Sequence, residues 1–161
     1  MRRVLTMFRV CLGAAIASEA GAQASEREGA VPPALVIGRF VDDYDIRYEV
    51  TPTTFRHGSR TRYRIAEWHV RERFFVAQQE PDSTGRAPWV RVDWMEFSGM
   101  PPYTWGYCFT VYGATTAAAA RTAAPANRET PRTGCGGFPF SRMRRDSTDA
   151  SAGASPPKAR S

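Results

Sequence analysis

This 161-residue chain has only two histidines and three cysteines, little imidazole or thiol for metal binding or nucleophilic chemistry. No His-Glu-x-x-His pair and no Cys/His cluster at ligand spacing occurs, so the usual zinc sites are excluded. A Gly-x-Ser-x-Gly elbow and a phosphate-cradling glycine loop are also missing, which removes the best-marked hydrolase and nucleotide classes. Past its first residues the chain has no apolar run long enough for a membrane-spanning helix. Internal repeats are lacking too. The sequence therefore specifies no metal, no cofactor and no catalytic residue.

The remaining candidates for such chemistry have plainer readings. His57 follows Phe55-Arg56 in a turn-like stretch and His69 sits at a hairpin tip, so both are expected to be solvated loop histidines. Asp42, Asp43 and Asp45 lack the glycine and distant glutamate of an EF-hand loop and read as an ordinary turn. Asp93 and Glu96 fall on opposite faces of a regular strand, which counts against a shared carboxylate site.

The two ends of the chain differ from its middle. Met1-Arg2-Arg3, an apolar stretch over residues 10–17 and Ala22-Gln23-Ala24 fit a signal peptide of residues 1–24, cleaved after Ala24. Arg9 interrupts the apolar region, which makes Met7 an alternative start. Cys11 leaves with the signal. Residues 25–34 form a flexible lead-in, 35–143 a single β-rich domain, and 144–161 a Ser/Ala/Pro tail expected to be disordered. The chain is thus expected to be exported, to the periplasm or beyond.

The sequence pI of about 9.7 invites a nucleic-acid reading, but the charge is unevenly placed. Residues 1–24 carry net +2 and residues 142–161 net +3, whereas residues 25–141 set 14 arginines against 13 acids. A nearly neutral domain is poorly suited to phosphate steering, so no nucleic-acid partner is expected. Arg60, Arg62 and Arg64 alternate beside Trp68, and a wet sheet face explains them. Two cysteines outlast export, Cys108 and Cys135, and an exported pair reads as one disulfide.

Residues 89–112 organise the domain. Over 89–97 the residues alternate, with Trp89, Arg91, Asp93, Met95 and Phe97 on one face and Val90, Val92, Trp94 and Glu96 on the other. Ser98-Gly99-Met100-Pro101-Pro102 ends that run, since proline donates no ladder hydrogen bond. A second run places Tyr103, Trp105, Tyr107, Phe109 and Val111 on one face as an aromatic stripe. Gly106 and Cys108, on the opposite face, imply a close backbone neighbour.

Elsewhere, strands are expected over 35–41, 46–50, 62–68 and 73–79, with 51–59 a connection plugged by Phe55. Phe74 and Phe75 are consecutive, so one of them faces outward or is covered by another part of the chain. Residues 117–124 form a short alanine-rich helix capped by threonine, and Phe138 and Phe140 close one end of the core. The predicted fold is mainly β: an antiparallel meander of about six strands curling into a small barrel or bent sheet, with that one C-terminal helix.

Gly38-x-Phe40, Trp89-x-Arg91-x-Asp93-Trp94, Trp105-Gly106-Tyr107-Cys108 and Gly134-Cys135-Gly136-Gly137-Phe138 occur in an order that resembles a group of exported bacterial β-domain proteins. The likeness spans most of residues 37–143, and the layout is also similar to a shortened lipocalin-like barrel. These resemblances imply export and a β fold, and they carry over no binding residue. The residues themselves suggest a non-catalytic module that binds a small apolar ligand or an envelope partner. The candidate ligand-binding set is Tyr48, Tyr63, Arg91, Asp93, Trp94, Trp105 and Tyr107, although the same aromatics suit a compact core and Arg91 with Asp93 suits a structural ion pair. A hydrolase using Asp93 and Arg91, or a surface-acting inhibitor or structural protein, is the alternative.

Overall fold

A computed structural model describes residues 31–148. The expected signal peptide, most of the lead-in and the end of the tail lie outside the described residues. Eight strands run in chain order: β1 (Gly38–Val41), β2 (Arg47–Val50), β3 (Thr54–His57), β4 (Thr61–His69), β5 (Phe74–Gln79), β6 (Trp89–Glu96), β7 (Trp105–Ala114) and β8 (Ser141–Arg145), with one helix, α1 (Ala117–Arg121), between β7 and β8. Each strand pairs antiparallel with the next, and β8 returns to β1, so the sheet is a closed barrel. Closure leaves no sheet edge to pair with another chain.

Strand alternation explains the wall. Phe40, Tyr48, Val50, Phe55, Tyr63, Phe75, Val90, Val92, Trp94, Trp105, Tyr107 and Met143 share one buried cluster, the barrel interior. Their sequence neighbours Arg39, Arg47, Arg62 and Arg64 are exposed on the outside. Val36 plugs one end of the barrel from the turn before β1, flanked by Leu35 and Ile37. That stretch had been expected to be strand, and the ladder begins only at Gly38.

The mainly β, antiparallel barrel with one short helix agrees with expectation, and it has eight strands where about six were expected. The two additions are β3, within the expected connection, and β8. Each sends a single large apolar side chain inward, Phe55 and Met143, and one apolar residue sets no periodicity. Their neighbours in the barrel make them strands. β8 also runs to Arg145, two residues beyond the expected end of the domain, and the Asp146 N–H donates to the Arg39 carbonyl at 3.1 Å.

β6 and β7 pair as expected from Trp94 opposite Tyr107 to Glu96 opposite Trp105. Further along, the register shifts between Arg91 and Val92, which face Val111 and Phe109 respectively. The extra residue, Thr110, switches the parity of β7. Tyr112 then faces Val90 on the inner row, and Val111, expected on the aromatic stripe, faces Arg91 outside.

Two outer clusters lie under the chain that follows β7. Ala120 of α1 packs on Phe74 and Val76, so Phe74 is the outward member of the phenylalanine pair. Thr116 caps the helix by accepting the Ala119 N–H at 3.1 Å. The return segment packs Ala126 and Phe140 against Cys108, beside Met95, Phe97 and Cys135. Gly106 admits this covering, because a Cβ there would stand 2.7 Å from the Phe97 ring and 2.9 Å from the Ser141 carbonyl.

The expected disulfide joins Cys108 to Cys135, with Cα atoms 5.5 Å apart and a sequence separation of 27. Replacing both cysteines with alanine is predicted to lower unfolding stability by about 3–4 kcal/mol, from the loop-closure entropy restored to the unfolded chain. Denaturant titration of the variant against the oxidised protein measures this.

Candidate functional site

The barrel divides the candidate ligand-binding set. Tyr48, Tyr63, Trp94, Trp105 and Tyr107 point inward. Arg91 and Asp93 lie on the other side of the wall, beneath α1 and the residues after it, so the seven do not form one site.

Inside, aromatic rings contact one another. The Phe55 ring centre lies 5.5 Å from Tyr107, 5.6 Å from Phe75, 5.8 Å from Tyr63 and 6.1 Å from Tyr48, all contact distances for rings. The Tyr107 hydroxyl donates to Tyr48 at 3.2 Å, and the Tyr48 hydroxyl donates to Asp42 at 2.8 Å. Burial raises both phenols above their ordinary value, so they remain neutral hydrogen-bonding groups. Tyr63 meets Tyr112 hydroxyl to hydroxyl at 3.2 Å. The indole N–H groups of Trp94 and Trp105 have no acceptor among the described residues.

On the outer wall Asp93 is 0% exposed and accepts four hydrogen bonds. Arg91 supplies two, at 2.8 and 3.2 Å, Arg128 one at 2.8 Å, and the Thr110 hydroxyl one at 2.7 Å. Arg91 also donates to the carbonyls of Arg121 and Ala123, and its guanidinium lies 3.7 Å from the centre of the Phe74 ring. Arg128 reaches the carbonyls of Trp94, Glu72 and Arg73. This cluster ties the return segment to β6. A carboxylate with its lone pairs taken up in this way is a poor base or nucleophile. Arg91 with Asp93 reads as the structural ion pair, and Arg128 and Thr110 complete it.

Both histidines lie in strands rather than solvated loops, whereas the acidic stretch forms the expected turn, with Asp42 buried and Asp43 and Asp45 exposed. His57 is half-buried in β3, with its ring stacked 5.0 Å from Tyr48, and His69 stacks 4.1 Å from Phe74 and bonds Glu67 at 3.0 Å. Asp42 is buried and accepts the Tyr44 and Ile46 N–H groups, each at 2.9 Å. Asp43 pairs with Arg142 at 2.7 Å and Asp45 with Arg144 at 2.9 Å. The three carboxylates thus serve a turn cap and two ion pairs. No group of three or more metal-ligating side chains occurs among the described residues.

A different feature is open to a partner. A groove of about 580 Å³ runs over the outside of the barrel, lined by Tyr44, Phe97, Met100, Pro131, Phe138 and Pro139, with Arg132 and Arg142 at its polar side. Tyr44, Met100 and Phe138 are three of the six exposed large apolar residues among those described. Phe138, 73% exposed, stands at the end of a tight turn in which Cys135 and Phe138 exchange backbone hydrogen bonds of 2.9 Å. Gly136 and Gly137 make that turn with φ of 59° and 93°, a left-handed conformation costly for other residues. Because Cys135 is bonded to β7, the turn and its phenylalanine are anchored to the barrel wall.

No family model, curated protein or solved structure matches this chain.

Phe138 was expected to close the core beside Phe140. Only Phe140 is buried, because the diglycine turn carries Phe138 away from the wall. The signal available in sequence was Gly136-Gly137 directly before an aromatic residue. Tyr44, which lies across the groove from it, comes from the β1–β2 turn and carries no such mark.

Two predictions follow from these contacts. Asp93→Ala leaves buried Arg91 and half-buried Arg128 without their carboxylate and is predicted to cost about 3–5 kcal/mol in denaturant unfolding. Burial lowers the His57 pKa from its ordinary 6.5, opposed by the nearby Asp42 charge. The unfolded chain then binds more protons than the folded one just below pH 6.5, so stability falls as pH drops through that window. NMR titration of the His57 ring is expected to give a midpoint under 6.5, and His57→Phe should remove this part of the acid sensitivity.

Proposed function

We propose that this chain is an exported, non-catalytic β-domain that binds an envelope protein through the groove around Phe138. The observation that carries the reading is the clustering of Tyr44, Met100 and Phe138 along one cavity, with the last held on a disulfide-anchored turn. A rigid, exposed aromatic loses little conformational freedom on binding, and such residues dominate interface energetics. Arg132 adds a guanidinium donor at the rim, beside the Asp43–Arg142 ion pair, which suits a partner with acceptors beside its own apolar contact. Export is supported by the signal-like start of the sequence and by the disulfide.

Two other readings have less support. A small apolar ligand needs interior space, and side chains in ring contact occupy the barrel centre. A hydrolase built on Asp93 and Arg91 needs access, and neither residue borders either open groove described.

The test places a photo-crosslinking residue at position 138 and, as a control, at Arg71 on the β4–β5 turn. A partner captured at 138 and not at 71, with affinity reduced at least tenfold by Phe138→Ala and melting unchanged, is the expected result. Equal capture at both positions, or full binding by Phe138→Ala, would overturn the reading. Lipid or pigment retained in native mass spectrometry of the purified protein would instead favour a carrier.

A further inference from the structure

The outer wall of β1 to β4 carries a second surface with different chemistry. Arg39, Arg47, Arg56, Arg62 and Arg64 alternate with the inward residues of these strands, and Arg60 occupies the turn between β3 and β4. The register sets Arg56 directly opposite Arg62, with Thr54 opposite Arg64. Like charges facing one another across a ladder are destabilising unless something neutralises them.

The acids nearby neutralise this face only in part. Glu49 is shared by Arg39 and Arg56 at 3.7 and 3.9 Å, Glu80 lies 3.6 Å from Arg62, and Asp146 bonds Arg47 at 3.3 Å. These are exposed contacts of the weak kind, each contributing little. Arg60 and Arg64 have no carboxylate at ion-pair distance among the described residues. Part of the face is concave, a groove of about 560 Å³ in which Arg39, Arg47 and Arg56 stand among Asp45, Glu49 and Asp146, so the unbalanced cations are those on the open wall beside it.

We propose that this wall docks on the phosphate headgroups of an anionic lipid surface. Every cation on it is arginine, whose planar fork matches phosphate oxygens two at a time. A spread of arginines over an open sheet face fits an array of headgroups better than a single small anion. Apolar tips stand at the same end of the barrel as the Arg60 turn: Ile46 lies beside Gly58, and Tyr112 is 64% exposed above Tyr63. Aromatic and branched tips beside basic residues suit the boundary between headgroups and acyl chains, whereas a soluble polyanion would not use them. The surface is separate from the Phe138 groove and does not depend on the protein-partner reading.

Co-sedimentation tests this with the purified protein and vesicles of phosphatidylcholine, alone or with about 30% phosphatidylglycerol, a level that gives the surface a strong negative charge. Binding is expected only to the anionic vesicles and is lost near 1 M salt, where the screening length falls to about 3 Å. Arg62→Gln and Arg64→Gln should each weaken binding roughly fivefold. Arg62→Gln should melt no lower than the parent at low salt, because it removes a like-charge pair. Tyr112→Ser should weaken vesicle binding while leaving its salt dependence intact. Equal binding to both vesicle types would overturn the proposal, as would binding to inorganic polyphosphate without binding to vesicles. Loss of vesicle binding in Phe138→Ala with full binding by the arginine variants would overturn it too, by moving the contact to the other groove.

Discussion

Barrel closure depends on β8, a strand that its own residues barely specify. It meets β1 through two pairs, Phe40 with Arg145 and Val41 with Arg144, and meets β7 through three. The segment leading to it leaves the barrel after Ala114 and crosses the outer wall before returning. Two fasteners define that path: the Cys108–Cys135 bond and the Asp93 cluster with Arg128. One is covalent and the other electrostatic, and both anchor the same segment to the adjacent strands β6 and β7. The strand that completes the sheet is therefore delivered by contacts made outside it.

This arrangement separates two kinds of chemistry across one wall. Inward positions of β6 and β7 hold Val90, Val92, Trp94, Trp105 and Tyr107, and outward positions hold Arg91, Asp93 and Cys108. The interior polar atoms are chiefly tyrosine hydroxyls, which bond one another and Asp42. The buried charges sit beneath the strap, where backbone carbonyls of the return segment satisfy Arg91. Burying an ion pair adds little net stability, but leaving one member alone is costly, so such a cluster selects one docking of the strap over others. The same packing takes Asp93 out of contact with solvent and leaves recognition to the outer surfaces.

Those surfaces differ in how they are built. The Phe138 groove draws on three distant pieces of chain: the β1–β2 turn, the β6–β7 turn and the diglycine turn. The arginine face comes from four consecutive strands whose alternation sends one set of side chains out together. The first depends on the strap being in place. The second depends only on strand register.

Strand alternation, the aromatic stripe, the threonine-capped helix and the disulfide were legible in the residues, because each rests on local spacing or on a count of two cysteines. The inward placement of Tyr48, Tyr63, Trp94, Trp105 and Tyr107 followed from the same two-residue period. Tertiary structure alone decided the rest. A strand such as β3 or β8, with one large inward apolar residue, has no detectable period and exists because neighbours supply its ladder. The bulge at Thr110 exchanges Val111 for Tyr112 on the inner row, and nothing in composition marks it. Whether Arg91 and Asp93 shared a cavity with the aromatics depended on which face became the inside, and Phe138 became exposed because a turn outside the sheet carries it. Period and composition are properties of neighbouring residues, whereas inside and outside are defined only once the sheet has closed.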